Sequence, residues 1–318
     1  MSKLPTFGAG LPRILVLGAA GQLGQALTQR DRGELIGLGR ADLDIADRTA
    51  VHSILPALRP DLVINAAAYT AVDRAESETA RAFAINRDGA GHVAEICAAS
   101  GVPLIHLSTD YVFDGAKRAP YREEDATAPL SVYGLSKAAG ETLVRERHER
   151  SAVLRTSWLF AATGHNFVKT ILKLARERTE LRIVADQIGC PTAAPDLATA
   201  IVALGRLMLD DQSAHGIFHF AGSEPVSWHD FAAAILAVAG SRLDRRPQLS
   251  PIATTDYPTP AQRPPYSVLD CGKLGQRGIA VPSWRPGLAS VIEQLLGTGR
   301  KDRRAQAPAR SAPCPTFS

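Results

Sequence analysis

Residues 13–24 read RILVLGAAGQLG, an apolar run that enters a glycine turn and leaves it on a helical pattern. No other stretch limits the possible folds as much. The run is too short for a helix and predicts a buried strand. Gly18, Gly21 and Gly24 then let the backbone turn sharply and approach a phosphate group, at a helix start that favours negative charge. The bland alternative is a glycine-bearing turn without a ligand, and the strand-turn-helix context disfavours it.

The same rhythm continues. Strands are predicted at Glu34–Leu38, at LVINAA after Pro60-Asp61, at VPLIHLS (102–108) and at Ala152–Trp158. Helices are predicted between them at Arg48–Leu58, about 76–100 ending at Gly101, and Tyr133–Arg150. Apolar strands separated by helical patterns mean β-α-β units and a parallel sheet. The expected fold class is therefore α/β, a Rossmann-type doubly wound parallel sheet.

After Trp158 the rhythm loosens. Helices are expected over 166–178, 195–209, 227–238 and 287–295, and strands over 181–185 and 216–220. Residues 244–268, rich in proline, read as a long loop. The expected organisation is a dinucleotide-binding domain over 1–158, rejoined by 193–221. A smaller C-terminal α/β substrate-binding domain would comprise 159–192 and 222–297. Residues 298–318 read as a disordered tail.

At 318 residues, 45% hydrophobic and 21% charged, the chain can bury a large core, which excludes bulk disorder and a disulfide-stapled mini-protein. The net charge of +4 is concentrated at the end, where Lys301, Arg303, Arg304 and Arg310 face Asp302 alone. It is no sign of a nucleic-acid face. Cys97, Cys190, Cys271 and Cys314 are scattered without a C-x-x-C, which fits a reducing compartment and no zinc site. No apolar run reaches the roughly 18 residues of a membrane span. The first run leads into the glycine motif and not into a signal-peptide cleavage site. A cytoplasmic protein is expected.

Binding specificity should be readable at the second strand's end. NAD-selective sites place an acid there for the ribose hydroxyls, whereas arginine suits a 2′-phosphate. This strand ends Gly37-Leu38-Gly39-Arg40, with no acid before Asp42, so Arg40 points to NADPH, with NADH as the second choice. Asp44 and Ile45 are placed to flank an adenine, and the third strand's end, Asn65 to Thr70, is made of small residues that let a cofactor lie against the sheet.

Tyr133-Gly-Leu-Ser-Lys137 puts a phenol and an ammonium on one helical face. A free tyrosine, pKa about 10, exchanges protons poorly near neutrality, and a nearby cation favours the phenolate. Upstream, Ser108-Thr109-Asp110-Tyr111 ends a strand where a hydroxyl can reach a substrate carbonyl oxygen, and Thr109 is the candidate. The competing reading is a turn that binds its own backbone. His215 and His219 share a strand face too far apart for easy chelation, and His106 reads as a core histidine.

LSTDYVFDG, TAPLSVYGLSKAAGE, LRTSWLF and DQIGCPT, with NAAAYTAVDRAE and RPPYSVLDCGKL, resemble the dTDP-4-dehydrorhamnose reductase family of the extended short-chain dehydrogenase/reductases. The resemblance covers about residues 12–296. It implies NADPH-dependent reduction of the 4-keto group of a dTDP-linked deoxysugar, the last step in making dTDP-L-rhamnose for cell-surface polysaccharides. Carried over by position, Tyr133 is the proton donor, Lys137 its partner, and Thr109 tunes the site. Thr109, Asp110 and Trp158 would contact the sugar nucleotide, with a core-packing role the alternative for Trp158. Gly21, Gln22, Leu23, Asp44, Ile45, Ala68, Tyr69 and Thr70 would line the cofactor. Asp186-Gln187 and Pro191-Thr192 would shape the sugar pocket.

Two departures matter. Some members of that family bridge a homodimer through magnesium held by glutamates. The matching positions here are Ala26 and Pro195, neither a metal ligand, so no metal site is assigned. Tyr266 also stands where the family has asparagine. Two other functions compete. A related nucleotide-sugar dehydratase lacks support, since Tyr111 follows Asp110 where a second acid is needed, and Arg40 speaks against an NAD-retaining epimerase. A non-catalytic regulatory subunit, like the methionine adenosyltransferase beta subunit, would bind cofactor without turnover.

Overall fold

The computed structural model describes residues 12–29, 35–211 and 213–297. The predicted tail over 298–318 lies outside them. Six parallel strands form the central sheet: β1 (Ile14–Leu17), β2 (Leu35–Leu38), β3 (Leu62–Asn65), β4 (Leu104–Thr109), β5 (Ser151–Thr156) and, after four short strands elsewhere, β10 (Gly216–His219). Their order is β2-β1-β3-β4-β5-β10. The chain runs outward one way from β1 and the other way from β3, so the crevice between those two strand ends is the switch point where such sheets bind ligands.

Alternation within each strand decides which face is covered by what. Ile14 and Val16 join Leu62, Ile64 and Leu154 on one face, under α1 (Gln22–Thr28) and α8 (Ala194–Asp210). Leu15 and Leu17 join Val63 and Val153 on the other, under α2 (Arg48–Leu58), α5 (Ala90–Ala99) and α6 (Val132–Arg147). Both faces are buried, as a parallel sheet requires.

The helix expected over 76–100 runs from Thr79 to Ala99 as α4 (Thr79–Phe83), a π-helical turn at Ala84–Gly89 and α5, with the short α3 (Val72–Ala75) ahead of it. The π turn presents Asn86, whose amide holds the backbone of Tyr69 from both sides, accepting from its N–H (2.8 Å) and donating to its carbonyl (3.0 Å). A side chain chosen for a partner 17 residues away leaves no mark in local periodicity.

A third core covers the C-terminal elements. There α7 (Phe167–Glu177), α9 (Trp228–Ala239) and α11 (Trp284–Leu296) pack around Phe231 and Trp284. The strand β7 (Glu180–Val184) pairs in parallel with β12 (Gln248–Ile252), which lies inside the segment expected to be a loop. Pro251 disguises it, because proline lacks the N–H that a ladder uses and survives only at an edge. The pairs β6 (Leu159–Phe160) with β9 (Thr192–Ala193) and β8 (Ile188–Gly189) with β11 (Val226–Ser227) are two residues long. The short α10 (Gly272–Gln276) follows Cys271. α11 starts three residues earlier than its sequence pattern suggests. Ser283 caps it, and Pro286 falls in the first turn, where a missing N–H costs nothing.

Candidate active site

The carboxyl ends of β1, β3, β4 and β5 and the first turns of α6 surround a cleft of about 460 Å³. Gly18, Gly21, Gln22, Leu23, Gly24, Arg40, Ala68, Thr70, Thr109, Asp110, Tyr133, Lys137 and Trp158 all line it. Residues scattered over 140 positions meet here because each strand of a parallel sheet delivers its end to the same edge.

The glycine turn is packed against backbone. Gly18 sits at φ +80°, and a Cβ there would lie 2.6 Å from the Ala67 nitrogen. A Cβ on Gly24 would lie 2.3 Å from the Gly18 carbonyl oxygen. Gly21 starts α1 with no side chain capping it. The segment after β6 folds over this turn, where the Asn166 amide donates to Gln22 Oε1 (2.8 Å) and Gln22 donates to the His165 carbonyl (3.2 Å).

Arg40, at the end of β2, is largely exposed and ion-paired with Asp44 at 3.0 Å. Asp44, Ile45 and Tyr69 do not line the cleft. Ile45 is core, and the Tyr69 phenol donates to Glu78 (3.1 Å).

Tyr133 and Lys137 are buried on one face of α6. Ser131 begins that helix by accepting from the Gly134 N–H (3.2 Å). The Lys137 ammonium donates to the Leu107 carbonyl at 2.6 Å, which ties it to β4. Burial pushes it down to about 8, against the pull of Glu141. The Tyr133 phenol is pushed up to about 12 by burial, although a hydrogen bond with Thr109 works the other way. Burial dominates, and with its pKa raised the phenol keeps its proton at neutral pH.

Asp110 is pushed up to about 7 by burial, against hydrogen bonds from Ser267 and Thr109 that favour its charge. A carboxyl raised on folding binds more protons folded than unfolded between its ordinary value of 3.8 and about 7, so it withdraws stability as pH rises through that window. Asp110→Asn is therefore expected to gain stability over the unmodified protein at pH 8 and not at pH 4. Urea unfolding at both values checks this; an equal difference at the two would refute it.

Several residues singled out by sequence lie elsewhere. Asp186 accepts from the Thr254 hydroxyl (2.6 Å), and Thr192 accepts from the Gly222 N–H (3.2 Å). Tyr266 packs in a satellite core with Val112 and Phe113. His106 contacts the Asn65 amide at 3.2 Å inside the sheet, and His219 contacts Arg155 at 3.3 Å. No group of three or more metal-ligating side chains occurs among the described residues. None of their helices is long and apolar enough to cross a membrane.

A second cavity of about 580 Å³ lies beside the cleft, and of its lining sequence reasoning had picked out Gln187 but not the cavity itself. It is bounded by α7, β7 and the segment after β12, and it carries Arg178, Arg182 and Arg263 with Phe167 and Tyr257. Arg263 also reaches Asp73 of α3 (2.8 Å), so it spans from the C-terminal elements to the sheet domain's side of the cleft. Trp228 lines both cavities. Of these residues only Arg263, at the head of RPPYSVLDCGKL, fell in a segment that the sequence singled out. Only the helix expected over 227–238 marked where Trp228 would fall.

A doubly wound sheet with its glycine turn and its Tyr133/Lys137 helix on one cleft defines an extended short-chain dehydrogenase/reductase. A family model described as the RmlD substrate binding domain matches residues 12–296. A dTDP-4-dehydrorhamnose reductase of Sinorhizobium fredii is 46% identical over 293 residues, 91% of this chain and 99% of the relative. Two solved dTDP-4-dehydrorhamnose reductases, from Clostridium acetobutylicum and, in complex with NADP, from Bacillus anthracis, each superpose with a TM-score of 0.83 at 36% identity. Each comparison covers 89% of this chain and 99% of the solved one. The chain belongs to the dTDP-4-dehydrorhamnose reductase family.

Proposed function

We propose that this protein reduces the 4-keto group of dTDP-4-dehydro-L-rhamnose to dTDP-L-rhamnose with NADPH. The observation that carries this is the convergence of Thr109, Tyr133 and Lys137 on the cleft that also holds the glycine turn.

The residues present fit a dinucleotide. Side chains at Gly18 and Gly24 would collide with backbone, so the turn stays bare, and Ser108 Oγ and Thr156 Oγ1 are buried in the cleft without a partner. Gly18 to Gly24 would take the pyrophosphate, Arg40 the 2′-phosphate, Lys137 the nicotinamide ribose, and Ala68 and Thr70 the edge of the cofactor. Bound NADPH supplies the hydride. Tyr133, protonated at neutral pH, donates its phenolic proton to the substrate oxygen as charge develops there. Thr109 holds the phenol by hydrogen bonding, and Lys137, fixed by the Leu107 carbonyl, stabilises the phenolate left behind. Asp110 and Trp158 hold the sugar. The second cavity, with three guanidinium groups, takes the nucleoside diphosphate end.

In this reading 1–158 with 193–221 form the cofactor domain, and 159–192 with 222–297 the substrate domain. The enzyme works in the cytoplasm, and Ala26 and Pro195 offer no side-chain ligand for the magnesium bridge of some family members. Any homodimer must form without that bridge.

The test is NADPH oxidation on adding dTDP-4-dehydrorhamnose, with a GDP-linked 4-keto sugar as control. Cofactor binding without turnover would leave only the regulatory-subunit reading. In the same assay Arg40→Ala is expected to raise the KM for NADPH about tenfold and leave NADH nearly unchanged, since it removes a charge-assisted phosphate contact. It also leaves the Asp44 carboxylate unpaired near a 2′-phosphate. Equal losses for both cofactors would show that Arg40 does not read the phosphate.

A further inference from the structure

The rings of Trp158 and Trp228 lie parallel, 4° apart, with centroids 3.4 Å from each other. Nothing fits between them. Trp158 lines the catalytic cleft, and Trp228 lines both that cleft and the arginine-bearing cavity. The stack therefore stands at the junction of the two spaces.

Both rings are held there deliberately. Trp158 has φ +45°, a left-handed backbone rare for a large side chain and the kind of outlier that clusters at ligand sites. Its indole is admitted by Gly189, where a Cβ would meet the ring at 2.5 Å. Trp228 opens α9 directly after its cap, Ser227, which accepts from the Asp230 N–H (3.0 Å). Behind it Phe167 lies at 4.6 Å and Phe231 at 6.5 Å between ring centres. Both tryptophans are only half-buried, so core packing alone does not account for the arrangement. Face-to-face stacking is not the geometry that aromatic pairs prefer in cores.

We infer that Trp228 is a positioning residue for the nucleotide sugar, stacking on Trp158 to form the wall that the substrate straddles, its deoxyhexose on the cleft side and its nucleoside diphosphate on the arginine side. This rests on the reading given under Proposed function. A sugar nucleotide whose sugar reaches Tyr133 in the cleft and whose diphosphate meets the guanidinium groups of the second cavity must cross the junction that Trp228 lines on both sides. A flat indole there offers the apolar C–H face of the sugar a rigid surface at small entropic cost. Because the pair is fixed before binding, the sugar's orientation at Tyr133 is set by the wall and not by the substrate's own flexibility.

The test uses the full chain and a readout separate from turnover. Two of the protein's three tryptophans are in the stack, while Trp284 is buried apart, its indole N–H donating to the Glu224 carbonyl at 2.9 Å. Stacked indoles couple as excitons, so the circular dichroism of the unmodified protein should show a couplet that Trp228→Phe removes. Saturating dTDP-L-rhamnose should perturb that couplet and NADPH alone much less. Trp228→Leu should raise the KM for the sugar nucleotide about tenfold and leave the KM for NADPH unchanged; Trp228→Phe should recover most of this. The inference fails if dTDP-L-rhamnose leaves the couplet untouched in an enzyme that turns over. It also fails if Trp228→Leu, or Trp228→Met should the leucine variant not fold, lowers thermal stability with an unchanged KM. Absence of turnover in the unmodified protein would overturn the functional reading instead, and the couplet would still report whether the sugar nucleotide meets the stack.

Discussion

Tyr133→Phe is expected to remove between about 10² and 10⁴ of the turnover rate while leaving NADPH binding and the fold intact. The change deletes one oxygen. The ring keeps its edge-on contact with Tyr111, 5.6 Å between centres, and α6 keeps its cap. The proton is lost, together with the phenol's hydrogen bond with Thr109. Lys137 does not replace it, because the bond to the Leu107 carbonyl ties its ammonium back to β4, where its remaining donors hold the ribose and the phenol's oxygen in place of delivering a proton. Measuring kcat and NADPH affinity together checks this, and a variant retaining more than half of the original rate would end the assignment. A general loss of cofactor affinity would instead mean that the phenol holds the nicotinamide ribose.

Glu141→Ala is expected to cost about 3–5 kcal/mol of folding stability, because it strands a buried guanidinium. Glu141 lies one helical turn beyond Lys137 and pairs with Arg155 of β5 through bonds of 3.0 and 2.7 Å, with both side chains almost wholly buried. Arg155 continues to His219 of β10 and lies over the Phe113 ring at 5.0 Å. The pair fastens the catalytic helix to the far strands of the sheet. Replacing both partners by methionine should recover much of the loss, since two desolvated charges are then absent rather than one left alone. Urea unfolding of the single and double variants measures it. A single variant within about 1 kcal/mol of the original would show that water reaches Arg155.

The site was legible where its chemistry depends on local spacing. Gly18, Gly21 and Gly24 are spaced for a bare turn, and Tyr133 and Lys137 for one helical face; the structure puts both groups on one cleft. Arg40 was legible as the arginine just past the second strand, but its ion pair with Asp44 was not. Trp158 was visible in a motif, whereas Trp228, 70 residues later, had no reason to be linked with it until the two rings met.

The sequence by itself determined the sheet. Short apolar strands alternating with helical patterns admit few arrangements other than a parallel sheet with both faces covered, and a glycine turn after the first strand places the ligand at its carboxyl edge. Tertiary structure alone decided the π turn at Ala84–Gly89, the strand at Gln248–Ile252, the pairing of Arg263 with Asp73, and the direction in which Tyr133 and Asp110 titrate. The reason is the same in each case. Periodicity and turn chemistry are properties of neighbours along the chain, but a π turn serving Tyr69, an edge strand bearing proline, and the desolvation of a phenol depend on groups that folding brings from tens to hundreds of residues away.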